Sequence, residues 1–100
     1  MKRSDKVILI KNLPYSADKT ELNQLFSQYG EVDSLEMPES QYLLVHYLIS
    51  SVIALVTFSV PSEAKRAFNH LSYRKYQHIP LYLEYLPIDL WNERSEFVNE

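Results

Sequence analysis

Two stretches of this chain repeat one apolar spacing. Leu22, Leu25, Phe26 and Tyr29 fall at i, i+3, i+4 and i+7, and so do Ala64, Ala67, Phe68 and Leu71. That spacing puts four apolar side chains on one stripe of an α-helix, and each stripe needs a surface to be buried against. Strand-like segments flank both helices. "KVILIKNL" precedes the first and "EVDSLEMP" follows it; "SVIALVTFSV" precedes the second and "LYLEYL" follows it. The order is β-α-β-β-α-β, and 100 residues make one domain. This order predicts an α+β fold of the ferredoxin-like, split βαβ kind, a four-stranded antiparallel sheet with both helices on one face.

Local signals support the two helices. Asp18 and Glu21 have the spacing of a capping box. Gly30, the only glycine, follows the last stripe residue of the first helix, where a left-handed C-cap is expected. Pro61 suits the first helical position of the second.

The third strand raises a question. Ser51–Ser59 carries no charge, and both of its faces are apolar. A strand buried on one side alternates apolar and polar residues. If the helices cover one face, it takes Ile8, Ile10, Ala54, Val56, Phe58, Leu83 and Tyr85. The other face then takes Leu9, Lys11, Ile53, Leu55, Thr57, Tyr82 and Glu84. The apolar half of that second set is expected to meet a partner or to be covered by the chain itself.

Charge narrows the partner. The net charge is −3, which argues against strong non-specific binding to nucleic acid. The charge is uneven, however: residues 1–30 hold five Lys/Arg against three acids, and residues 31–60 hold four acids and no Lys/Arg. There is no cysteine, and His46, His70 and His78 lack metal-ligand spacing, so neither a metal site nor a cofactor is expected. One glycine cannot build a phosphate-binding loop, and no nucleophile elbow or HExxH is present, so no catalytic residues and no small-molecule substrate are expected. No window is long and apolar enough for a membrane span, and "MKRSDK" is not followed by a signal-peptide core, so a soluble, intracellular chain is expected.

"ILIKNL" (Ile8–Leu13) and "SVIALVTF" (Ser51–Phe58) resemble the shorter and longer signatures of the RNA recognition motif, with Ala54, Val56 and Phe58 at the core positions of the longer one. The resemblance spans residues 6–87. "SDKVILIKNLPYS" and "ALVTFSVPSEAKRAFNHLSYRKYQHIPLYLEYLP" are further similar to an internal motif of the multiple-RNA-binding-domain family. That likeness implies a multi-domain nucleolar protein acting in pre-ribosomal RNA processing for the small subunit. It implies RNA, specifically pre-rRNA, as the partner and a nuclear, nucleolar location.

The departures are as informative. Such motifs stack bases on aromatic rings of the sheet face, and here the three positions hold Leu9, Ile53 and Leu55. Stacking is worth about 1–3 kcal/mol per base, so the domain alone is expected to bind weakly. Glu84 on the last strand would also repel phosphate. RNA contacts are therefore expected from Lys11, Asn12, Tyr82 and the connector "SYRKYQH", with Tyr73, Arg74, Lys75 and Tyr76, alongside whatever Leu9, Ile53 and Leu55 can offer. The plain alternative is that the tyrosines plug the core edge and the cations are solvated. Lys65 and Arg66, on the exposed side of the second helix, could extend the basic patch. The rival reading is a motif that docks a protein on its aliphatic sheet face, as in a spliceosomal or other ribonucleoprotein complex.

Residues 1–5 read as an N-terminal tail and 88–100 as an acidic C-terminal tail. About ten residues are inserted near 40–51, apolar in character, either a functional element or an artefact of the gene model. Ile88, Trp91 and Phe97 could pack a terminal helix onto the sheet.

Overall fold

A computed structural model of the chain describes residues 2–37 and 52–87. The insert near 40–51 and the tail from 88 onward lie outside the described residues, as do the expectations made for them. The elements run β1 (Arg3–Leu13), α1 (Lys19–Ser27), β2 (Val32–Glu36), β3 (Val52–Phe58), α2 (Pro61–Leu71), β4 (Lys75–Tyr76), β5 (Ile79–Pro80) and β6 (Tyr82–Pro87). β2, β3, β1 and β6 form one four-stranded sheet in that order, with every pairing antiparallel. This is the expected α+β arrangement. β1 starts at Arg3, which pairs with Pro87, so Arg3–Asp5 continue the strand where a tail is expected.

The helical stripes meet the sheet as their spacing predicts. Leu22 and Phe26 of α1 and Ala64, Ala67 and Leu71 of α2 are buried against Ile8, Ile10, Ala54, Val56 and Phe58. Phe26 tilts onto Phe58 with ring centroids 6.5 Å apart, and Phe68 stacks on Tyr85 at 4.7 Å. Rings packed this way contribute beyond the area they remove from water.

The helix ends differ from the sequence signals. Asp18 does cap α1, accepting from the Thr20 N–H at 3.3 Å. Glu21 does not return the bond. The Asp18 N–H instead donates to the Tyr76 hydroxyl at 3.1 Å, and that hydroxyl donates to Glu21 Oε1 at 2.5 Å. A tyrosine from the other half of the chain is thus inserted into the capping box. Gly30 is not a left-handed cap either, because no glycine has a positive φ. A Cβ there would collide with the Glu63 side chain, its Cγ only 2.8 Å away. Glycine is required by close approach, and Glu63 uses that space to accept from the Glu31 N–H at 2.8 Å.

The segment read as a plain connector holds a small hairpin, β4–β5. Its two central residues, Gln77 and His78, have φ of 52° and 72°. Two successive positive φ values match the type I′ turn that suits the twist of paired strands.

Candidate nucleic-acid interface

One end of the sheet gathers the exposed aromatic and basic groups. Lys11 of β1 lies directly across from Tyr82 of β6, on the face away from the helices. Tyr73 sets its ring edge-on to Tyr82, with centroids 5.9 Å apart and planes at 87°. Both rings are open, 72% exposed for Tyr73 and 40% for Tyr82. The loop after β1 adds Tyr15 at the same end, 89% exposed.

The backbone is shaped to present them. Tyr73 has φ 67°, a left-handed conformation unfavourable for a bulky residue. Its N–H donates to the Leu81 carbonyl at 2.8 Å, and the Leu81 N–H donates back to Arg74 at 2.9 Å. That reciprocal pair clamps the connector to the start of β6 and turns the Tyr73 ring outward. Asn12 is exposed with φ 60°, where the β1–β3 register shifts between Ile10 and Leu13. Asparagine tolerates that conformation better than most residues, which gives its presence a backbone reason.

The electrostatics of this end run through Glu84. Its carboxylate accepts from Arg3 at 2.7 Å and lies 3.2 Å from Lys11 Nζ. Arg3 also donates to the Tyr85 carbonyl at 2.8 Å. The acid expected to repel phosphate is therefore neutralised by two cations.

The ten site residues divide. Lys11, Tyr73 and Tyr82 come together, with exposed Arg74 and Lys75 on the adjoining connector. Tyr76 is turned away into the α1 cap. Leu9, Ile53 and Leu55 are not open to solvent: their exposures are 1%, 1% and 0%. Val7 and Leu86 are buried on the same face. Residue parity placed these side chains on the right face, but parity carries no information about what covers a face. Tyr15 went unpredicted, although "LPYS" after a strand marks an exposed loop residue.

The RNA recognition motif family matches residues 8–82. The chain belongs to this family. The motif is an RNA-binding module, not an enzyme, and its sheet accounts for the two strand signatures in the sequence. Among relatives, this motif is 38% identical over 86 residues to "Multiple RNA-binding domain-containing protein 1" of Dictyostelium discoideum, covering 86% of the chain and 8% of that protein. It is 39% identical over 89 residues to "Probable RNA-binding protein 19" of Mus musculus, covering 89% of the chain and 8% of that protein. The chain thus spans less than a tenth of these curated relatives. In solved structures, it is similar to the second RNA binding domain of a hypothetical protein, with a TM-score of 0.73, 39% identity, and coverage of 89% of this chain and 71% of that one.

Proposed function

We propose that this RNA recognition motif binds single-stranded pre-ribosomal RNA through the end of its sheet, as one weak module of a nucleolar multi-motif protein that processes small-subunit rRNA. The observation that carries the reading is the exposed Tyr73–Tyr82 pair beside Lys11. Two open rings can hold bases, and Lys11 with Lys75 can meet phosphates. The name of the Dictyostelium discoideum relative, which speaks of multiple RNA-binding domains, supports a setting in which linked modules raise one another's effective concentration. The protein-docking alternative rests on an apolar face of Leu9, Ile53, Leu55 and Tyr82, of which Tyr82 is exposed and the three aliphatic side chains are buried, and this favours the RNA reading.

The test is fluorescence anisotropy of the 100-residue chain with labelled pre-rRNA fragments over a salt series. Tyr73→Ala with Tyr82→Ala is expected to weaken binding by about tenfold or more. Lys11→Ala is expected to flatten the salt dependence by about 0.7 in log–log slope. Unchanged affinity in both variants overturns the interface. The nucleolar assignment is checked by imaging the tagged parent protein, and exclusion from nucleoli would count against it.

A further inference from the structure

The connector after α2 sends consecutive residues to opposite layers of the domain. Tyr73 turns onto Tyr82 at the sheet end, while Arg74 Nη1 donates to the Tyr29 hydroxyl at 3.3 Å, on the helix layer. Tyr29 is half-buried, and its ring lies against His70 with centroids 5.1 Å apart and planes 14° from parallel. His70 is exposed in the last turn of α2. Tyr29 thus supports one side of an imidazole that is exposed to solvent. Arg66, also exposed, sits four residues earlier, about 6 Å along the helix axis and on the same face. The nearest acid along α2, Glu63, turns one carboxylate oxygen to the Glu31 N–H at 2.8 Å.

An exposed ring on the same helix face as one arginine, stacked on a tyrosine that holds another, joins a stacking platform to phosphate contacts, the combination that holds single-stranded nucleic acid. An acidic peptide would use the arginines but leave the ring idle. We infer that the helix layer carries a second RNA contact, in which a base stacks on His70 while neighbouring phosphates meet Arg66 and Arg74. A strand leaving Tyr82 and Tyr73 then turns around the end of the domain past Arg74. This contact rests on the RNA-binding reading above and extends it to a layer that reading does not use.

The experiment compares binding of the 100-residue chain to single-stranded oligouridylates of about 4 and about 12 nucleotides, within the range of single-strand site sizes. Arg66→Glu with His70→Ala is expected to weaken the longer oligonucleotide about tenfold and to leave the shorter one nearly unchanged. His70→Tyr keeps a stacking ring and is expected to retain the longer oligonucleotide's affinity. Both positions are exposed, and matching amide NMR spectra confirm that the variants fold. If Tyr73→Ala with Tyr82→Ala weakens the longer oligonucleotide but the helix variants do not, the second contact is overturned and the sheet-end reading stands. If the unaltered chain binds neither oligonucleotide at low salt, both readings fall. Displacement of the longer oligonucleotide by polyglutamate as readily as by unlabelled RNA would also overturn the inference, in favour of an acidic protein partner.

Discussion

Gly30 shows how one residue can be placed correctly for the wrong reason. Its position after the α1 stripe suggests a left-handed cap, yet its space is taken by the Glu63 side chain. Replacing it by alanine overpacks a junction where Glu63 holds the Glu31 N–H. Gly30→Ala is expected to destabilise the domain by about 1–3 kcal/mol, read as a fall in the urea midpoint at constant m-value. His78 is the converse case, a residue with a Cβ at φ 72° in a two-residue turn. Glycine adopts that conformation freely, while Gln77 must stay because its amide donates to Ser16 and Glu21. His78→Gly is expected to stabilise by about 0.5–1 kcal/mol, raising Tm by several degrees in a calorimetric scan. Neither effect has a sequence signal, because Glu63 is thirty-three positions from Gly30 and the turn uses none of the usual residues.

Among the elements, the β4–β5 hairpin has the most to say about how the interface is built. Tyr76 ties it to the start of α1 by donating to Glu21 and accepting from the Asp18 N–H. Tyr76→Phe removes both bonds and is expected to cost about 0.5–1.5 kcal/mol in chemical denaturation, with weaker RNA binding as the connector loosens. The same tyrosine gives the domain an alkaline signature. Burial, followed by the bond to Glu21, pushes the Tyr76 phenol up, and burial with the charge of Asp5 does the same for Tyr85. Unfolded phenols release their protons near pH 10, while the folded ones still hold theirs. The unfolded state then binds fewer protons, so this stability is fully present below about pH 10 and is lost as pH rises beyond it. Melting curves across that range are expected to fall more gently in Tyr76→Phe than in the unaltered chain; equal slopes would refute the assignment. The connector's basic and aromatic composition is readable in "SYRKYQH", but its division into Tyr73 outward, Arg74 to the helices and Tyr76 inward is not.

At the scale of the whole molecule, the sheet buries apolar side chains on both faces. Ile8, Ile10, Ala54, Val56 and Phe58 face the helices, and Val7, Leu9, Ile53, Leu55 and Leu86 are buried on the opposite face. A motif that keeps aliphatic side chains where stacking rings are usual therefore hides them and moves its accessible aromatics to one end. Leu55→Ala measures that burial directly. It is expected to cost about 2–5 kcal/mol, as for any core leucine. A change below about 0.5 kcal/mol, the size usual at exposed positions, would show that face open to solvent.

The sequence by itself determined the element order, the helical stripes, the helix-facing set and the family, because these follow from periodicity and local chemistry along a few adjacent residues. It also placed Lys11 and Tyr82 on the sheet face away from the helices, since side chains alternate along a strand, but left open whether Tyr73 packs or is exposed. Tertiary structure alone decided that Tyr76 completes a helix cap, that Glu63 takes the space beside Gly30, that Tyr29 supports His70, and that Leu9, Ile53 and Leu55 are shut from water. Each of these depends on groups far apart in the chain meeting in three dimensions, and on one group excluding another from the same space or the same solvent. Neither kind of information is carried by the spacing of residues along one strand or one helix.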